Sequence, residues 1–168
     1  MYLNFRVAGE MQLQRKFLGI ADKIKDFREA FARIASDFYD GQKATFEAEG
    51  AFDGKKKWKK LNKDYKRWKE SKGFDSNILV LEGTLKRAAT EPNEKGSVFN
   101  IQKTKLEFGV NLPVNGWNLA MLHQTGTLHQ NGTTKMPARK VIELSQKQKL
   151  RWVRIFRDWV QEITKARG

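Results

Sequence analysis

The side chains in this sequence that could carry out chemistry are few, and their spacing does not favour it. His123 and His129 are six residues apart, which sets them on different faces of a helix. No Asp, Glu, Lys or Arg occurs in residues 108–134, so no carboxylate lies there to complete a metal site with the histidines. A hydrogen-bonded structural role is therefore more typical of both histidines than metal binding.

Other catalytic patterns are incomplete. The segment Gly50–Lys56 is one residue short of a phosphate-binding loop, follows a predicted helix rather than a strand, and has Lys56 where Ser or Thr should hold Mg²⁺. No Gly-x-Ser-x-Gly motif is present, and the absence of Cys excludes disulfide scaffolds, zinc fingers, iron–sulfur proteins and thiol enzymes. We expect no enzyme activity, no cofactor and no bound metal.

Charge is concentrated in one basic region. The chain has 33 Lys and Arg against 19 Asp and Glu, a formal net charge of +14. Residues 51–72 hold ten of the basic residues and three of the acidic ones, a net +7. Such a surplus predicts an acidic partner, which can be nucleic acid, an anionic membrane or an acidic protein. The membrane fits least, since the lysines surround the predicted helix too widely to leave a broad apolar face.

A short helix is predicted for the basic segment, which we define as residues 55–72. Its apolar residues recur at intervals of three, four and three: Trp58, Leu61, Tyr65 and Trp68. Aromatic rings that stack on bases, together with lysines that contact phosphates, would suit nucleic acid. The same spacing is typical of a helix face in a protein core, and it favours that second interpretation.

Residues 108–134, which we call the uncharged segment, have the opposite character. They lack charged side chains although 31% of the whole chain is charged, and they retain Trp117 and Leu122. Charge depletion with retained aromatic and aliphatic residues is typical of the centre of a protein–protein contact. A buried hairpin inside the monomer or a flexible loop rich in Gly and Asn would give the same pattern, so these alternatives stay open.

Hydrophobic periodicity predicts the elements that must position these segments. A long amphipathic helix that can reach Glu49 is indicated by apolar residues at every third or fourth position, namely Ile20, Ile24, Phe27, Phe31, Ile34 and Phe38. Residues 78–85 favour a short helix or turn that leads into a strand. Strands are predicted at 2–8, 97–102, 105–111 and 138–144, the middle two as a β-hairpin, and a basic helix at 146–166.

These elements predict one domain over residues 1–168, of class α+β. A small antiparallel sheet would be packed by the long N-terminal helix, with the basic C-terminal helix following at residues 146–168. The 19 aromatic residues argue against a disordered chain. The longest apolar runs have four residues, far short of the ~20 needed to span a bilayer, so we expect no membrane partner.

Several short motifs stand in a characteristic order. They are Phe46–Gly50 (FEAEG), Trp58–Leu61 (WKKL), Ile78–Leu85 (ILVLEGTL), Ala120–Gly126 (AMLHQTG) and Lys135–Arg139 (KMPAR). Over residues 1–145 this order resembles the phage virion morphogenesis proteins, that is, the Mu protein G-like and P2 protein S-like tail-completion proteins. The HQxG element followed by MPAR is the most specific part. Two departures from the pattern are Asn118-Leu119 in place of a Tyr, and Lys140 where Pro often follows the Arg.

The resemblance implies a non-enzymatic structural protein of the virion tail or neck, made and assembled in the host cytoplasm. It would act as a tail-completion or terminator protein at the head-proximal end of the tail, as a ring for which six subunits are expected, and would help to join tail to head. The implied partners are further copies of the chain, tail-tube proteins, neck or connector proteins, and DNA passing through the ring.

On this view the uncharged segment docks on a neighbouring subunit. The expected contact residues are Trp117, Leu122, His123, Gln124, Gly126, Pro137 and Arg139, with Arg139 donating hydrogen bonds across the joint. A strand entry with Arg139 on the surface is the alternative for the MPAR element. An acidic partner would be met by Lys55, Lys56, Lys57, Lys59 and Lys60. The alternative function is a basic nucleic-acid-binding module.

Overall fold

A three-stranded antiparallel sheet and two long helices make up the core. The computed structural model describes residues 2–5 and 25–165. Helices in these ranges are α1 (Arg28–Glu47), α2 (Lys63–Ser71), α3 (Thr84–Thr90), α4 (Leu119–Thr125) and α5 (Gln146–Lys165). Strands are β1 (Tyr2–Phe5), β2 (Ser97–Ile101), β3 (Leu106–Val110), β4 (Pro113–Val114), β5 (Trp117–Asn118), β6 (Thr127–Leu128) and β7 (Thr134–Met136). The predicted α+β class is confirmed.

The main sheet has the strand order β1-β3-β2, with both pairings antiparallel. The predicted hairpin is present as β2 and β3, with Ser97 opposite Val110 and Ile101 opposite Leu106. The strand predicted at 2–8 is present over residues 2–5, and the rest of it lies outside the described residues. Leu106, Phe108 and Val110 alternate along the central strand β3, and all three are buried.

Helix α1 covers the sheet with the apolar stripe that its spacing predicts. The ring of Phe38 stacks on that of Phe108 with centroids 4.0 Å apart, and Phe31 and Ile34 are buried beside it. Ile20 and Ile24, which extend the same periodicity, lie outside the described residues. The helix ends at Glu47, and the amide of Gly50, at φ +98°, donates to the carbonyl of Thr45 at 2.8 Å.

Helix α5 packs against α1 through polar as well as apolar contacts. Its Trp152 ring lies 5.7 Å from Phe108, and the indole N–H donates to Asp37 at 2.7 Å. The Arg151 guanidinium bridges Asp37 and Asp53, each at 2.8 Å. Burial alone would raise the pKa of Asp53, but hydrogen bonds from Ser145 and Arg151 outweigh it and hold this pKa below its usual value. These contacts fix the start of α5 to α1 and to the loop that follows α1.

Two predictions of local structure were wrong. The basic segment is helical only in α2, from Lys63, because Trp58 turns into the core, where its ring lies 5.2 Å from Phe46 and its indole donates to the carbonyl of Lys140 at 2.9 Å. Trp58 is 5% exposed whereas Tyr65 and Trp68 are each 44% exposed, so these aromatic residues do not share one face. The strand expected at 138–144 is irregular chain.

The segment at 78–85 folds as predicted, as a turn and the start of a short helix that lead to a strand. Leu79, at φ +61°, lies in a turn over residues 78–83 that leads into the short helix α3, and β2 follows after a second turn. Ile78 and Leu85 are buried at either end of this region. The turn leaves Leu81 at the surface, 39% exposed.

Candidate interaction surfaces

The uncharged segment is buried where it begins and exposed farther along. Phe108, Val110 and Leu112 are buried in the core, whereas Trp117 and Leu128 are each 66% exposed. Met121 and Val114 are each 44% exposed on neighbouring elements of the same segment. The segment therefore exposes apolar side chains to solvent, while its first residues are buried in the core.

Trp117 is carried by a tight hairpin. It pairs with Val114 across a two-residue turn, Asn115-Gly116, whose φ values of +49° and +80° are those of a type I′ turn. Asn118 then caps α4, its side-chain oxygen accepting from the amide of Met121 at 3.2 Å. The exposure of Trp117 is thus set by turn and cap residues local to it.

Gln124 connects α4 to the irregular chain after the MPAR element. Its side-chain oxygen accepts from the amides of Val141 and Ile142 at 2.8 and 3.1 Å, and its NH₂ group donates to the carbonyl of Ile142 at 2.9 Å. These are the hydrogen bonds that a neighbouring strand would otherwise supply. A side chain replaces a neighbouring strand here, which explains why the strand predicted at 138–144 does not form.

Gly126 allows the same stretch of chain to come close. Its φ is +74°, and a Cβ at this position would lie 2.7 Å from the amide nitrogen of Ala138 and 2.7 Å from the carbonyl oxygen of Met136. Real Cβ atoms do not approach backbone atoms so closely. Glycine is therefore required by contact as well as by conformation.

Arg139 uses its donors inside the chain. It is 6% exposed, its Nε donates to the carbonyl of Lys59 at 2.8 Å, and a terminal nitrogen donates to that of Lys60 at 3.1 Å. Its own amide donates to the carbonyl of His123 at 2.7 Å. The guanidinium of Arg139 is thus buried against residues 59–60 of its own chain. This position differs from the expected one, in which Arg139 donates to a neighbouring subunit, and from the alternative of an arginine on the surface.

His123 lies beside this arginine and is half-buried. Burial, together with the positive charge of Arg139, lowers the pKa of His123 to about 4, so the ring is neutral at pH 7. Its Nδ1 is buried and has no hydrogen-bond partner among the residues that the structure describes. Leu122 and Pro137 are also half-buried.

The HQTG and MPAR motifs thus form one junction. Residues 123–126 and 136–142 are held together by the side chain of Gln124, by close approach at Gly126 and by the backbone of Arg139. The two motifs that carry the family resemblance of the sequence therefore contact one another directly.

Comparison with known proteins agrees with this resemblance. The model of the phage virion morphogenesis family matches residues 9–161.

The chain belongs to this family. One relative is the Mu-like prophage FluMu G protein 1 of Haemophilus influenzae, 29% identical over 134 residues, which are 80% of this chain and 79% of the relative. No solved structure gives a significant match. The protein is accordingly a virion-associated structural protein of phage morphogenesis.

In this family member the basic segment begins as an extended stretch with exposed lysines. Lys56, Lys57, Lys59 and Lys60 are exposed, and Lys57 forms an ion pair with Glu49 at 3.5 Å. Their backbone is fixed, since Trp58 is buried among them and Arg139 holds the carbonyls of residues 59 and 60.

Lys55 is set apart from these four lysines. Its ammonium donates to the hydroxyl of Thr45 at 2.6 Å and to the carbonyl of Glu143 at 3.3 Å. Burial lowers its pKa, against the attraction of Glu143 and Asp53. Lys55 was expected to meet an acidic partner, but its charged group is engaged inside the chain.

Sequence reasoning missed the role of Lys69. It is 2% exposed, and its ammonium donates to the carbonyls of Asn77 and Val80 at 2.8 and 2.6 Å. Burial lowers the pKa of this ammonium. One lysine among nine other basic residues gives no local signal that it, rather than Tyr65 or Trp68, is the buried residue of α2.

Within residues 2–5 and 25–165, no helix has both the length and the apolar character needed to cross a membrane. No group of three or more His, Asp or Glu side chains in the same ranges is arranged to hold a metal ion.

Proposed function

We propose that this protein completes phage tails by closing into a ring of six subunits at the head-proximal end and joining the tail to the neck. Membership of the phage virion morphogenesis family supports a structural role of this kind. The observation that carries the ring proposal is the exposure of Trp117 and Leu128, each 66%, in a segment of 27 residues that lacks charged side chains.

The uncharged segment forms the contact between subunits. Large aromatic side chains that stand exposed on rigid supports are typical centres of binding energy at interfaces. A contact between two different surfaces of identical subunits generates a closed ring when the rotation closes. Uncharged contacts also allow subunits that each carry +14 to approach without placing charges face to face.

Lys56, Lys57, Lys59 and Lys60 meet an acidic surface on the tail tube or neck. Their side chains are exposed, and their backbone is fixed by Trp58 and Arg139. A fixed row of cations gives electrostatic attraction at little cost in backbone ordering. Reversing these four charges should weaken attachment to tails and leave the circular dichroism spectrum unchanged. Normal completion of tails by the reversed variant would remove the docking role.

The solution mass, measured with negative-stain imaging at low and high salt, tests the ring. Six copies of the 19.5 kDa chain give about 117 kDa, and this species should persist at high salt because the contacts are uncharged. Trp117→Ala with Leu128→Ala should reduce the ring while the monomer keeps its circular dichroism spectrum. Leu150→Ala with Val153→Ala, which are 57% and 67% exposed on α5, is the matched control. Unchanged ring formation in the first variant would refute the assignment.

Nucleic-acid binding is a second candidate, and one observation favours it. The rings of Tyr65 and Trp68 stack with centroids 5.5 Å apart and are each 44% exposed among the lysines of α2. Affinity for duplex DNA should then fall with salt, with a log–log slope of about −0.9 for each phosphate neutralised. An affinity for duplex DNA that does not change with salt, or that is unchanged in the variant Tyr65→Ala with Trp68→Ala, would contradict DNA binding at this site.

A further inference from the structure

A groove of about 780 Å³ runs beside the junction of the HQTG and MPAR motifs. It lies between α2, the turn before α3, strand β4 and the MPAR residues. Much of its wall is aliphatic, including Leu61, Leu79, Val80, Leu112 and Leu119. Leu81 and Val114, which are 39% and 44% exposed, stand among the residues that line it. The groove thus offers an apolar lining to a ligand.

The charged groups along the groove are mostly cationic. Among the described residues, Lys69, Lys95, Lys135 and Arg139 line it together with one carboxylate, that of Glu82. Lys69 and Arg139 donate to backbone carbonyls, which carry no net charge and leave the positive charge in place. Asp75 attracts Lys69 and offsets part of its charge, so the surplus depends mainly on Lys95, Lys135 and Arg139. The groove therefore combines an apolar lining with a surplus of positive charge.

His123 adds an uncharged ring to this lining. Its Nδ1 is buried and has no hydrogen-bond partner among the described residues. Burial and the positive charge of Arg139 lower the pKa of His123 to about 4, so the ring is neutral at pH 7 and the surplus of charge stays with the lysines and the arginine.

We propose that this groove binds an extended segment of another virion protein that carries aliphatic side chains together with carboxylates. The occupant is acidic because the charged residues of the lining are mostly cationic, and it carries aliphatic side chains because much of the remaining wall is aliphatic. A segment of polypeptide supplies both kinds of side chain along one chain. The proposal rests on the proposed function in one respect, since it locates where an acidic tail or neck partner engages. Leu61 is both a groove residue and the end of the extended lysine stretch, so the two basic features are continuous.

A second copy of the chain is the less suitable occupant. Each copy carries +14, and its one long uncharged segment offers no carboxylate to the cations of the groove. Binding of a second copy is nevertheless an outcome that the experiment detects.

The experiment selects dodecapeptides from a random displayed library on the full-length chain, then measures the best synthetic peptide by fluorescence anisotropy. Selected sequences should combine Asp or Glu with Leu, Ile, Val or Phe. Lys135→Glu and Leu81→Ser should each weaken binding roughly tenfold, the effect of losing one anchoring contact of about 1.4 kcal/mol. Lys149→Glu and Leu150→Ser, exposed on α5, are matched controls that should keep the affinity within about twofold.

The ¹⁵N resonances of the His123 ring give an independent reading, because this residue lines the groove and its resonances should shift when the peptide binds there. Selected peptides without enriched carboxylates, or with equal affinity for the groove variants, would overturn the proposal. Loss of the ring in Lys135→Glu would instead identify the groove as a contact between copies. An intact ring with no selected peptide would reject the groove proposal and leave the tail-completion proposal standing.

Discussion

Replacing Gly126 with Ala tests whether the HQTG and MPAR motifs are one structural junction. At φ +74° and ψ 179°, Gly126 occupies a backbone region that costs other residues about 1–3 kcal/mol. The added Cβ would lie 2.7 Å from two backbone atoms, at Ala138 and Met136, which cannot rotate away as a side chain could. Forcing such a contact costs typically about 1–3 kcal/mol more. We therefore expect Gly126→Ala to lower the free energy of unfolding by about 2–6 kcal/mol.

Gly132→Ala is the matched control for this variant. Gly132 also has a positive φ, +79°, but nothing lies within 4 Å of the position where its Cβ would be. Its cost should be conformational alone, about 1–2 kcal/mol. Urea denaturation followed by circular dichroism measures both, and each kcal/mol should appear as roughly 2–4 °C in Tm for a domain of this size. Equal losses in the two variants would refute the argument from close approach.

Three other variants probe groups that the structure buries. Gln124→Ala should lower the free energy of unfolding by about 2–4 kcal/mol in urea, since three hydrogen bonds to residues 141–142 are lost, whereas exposed Gln130→Ala should not. Lys69→Met should cost about 1–3 kcal/mol in the same assay because two carbonyls lose their donor; a loss no larger than that of exposed Lys66→Met would contradict it. The pKa of His123 is lowered to about 4 in the folded chain, against about 6.5 in the unfolded chain. Between these two values the unfolded chain binds a proton that the folded chain does not. The free energy of unfolding should therefore fall as the pH drops from about 6.5 to 4. His123→Gln should flatten that slope in pH-dependent urea titrations and the exposed His129→Gln should not; an unchanged slope in His123→Gln would contradict the assignment.

The parts of the fold that the sequence predicts are those set by local periodicity. Phe31, Ile34 and Phe38 are buried at the spacing of a helix, and β2 and β3 pair as alternating strands do. In both cases residues a few positions apart in the sequence share one face of the element, so the spacing of apolar residues is enough to predict it.

The parts that it does not predict depend on contacts between distant residues. Trp58 has helical spacing with Tyr65 and Trp68, yet a hydrogen bond to Lys140, 82 residues away, draws it into the core. Gln124 forms hydrogen bonds with the backbone of residues 141–142, where the sequence predicts a strand. At each of these positions a contact with a residue distant in the sequence overrides the local preference for a helix or a strand. The nearby sequence contains no pattern that indicates either contact.

The candidate site was predicted in part. The exposure of Trp117 agrees with the surface that the absence of charge in residues 108–134 led us to expect, although its role as a subunit contact stays a prediction. Arg139 and Lys55 have the charge expected of binding residues, but their charged groups are engaged inside the chain. Composition identifies which segments are unusual; it does not reveal which members of a basic run face inward.

The two ties between the extended lysine stretch and the MPAR region also order events during synthesis. Trp58 is tied to Lys140 across 82 residues and Arg139 to Lys59 across 80. At about 5–20 residues per second, a ribosome needs roughly 4–16 s to make the intervening chain. The lysines thus gain their fixed backbone only after most of the polypeptide has emerged. A chain that ends before Arg139 lacks both hydrogen-bond partners and therefore cannot hold these lysines in their final arrangement.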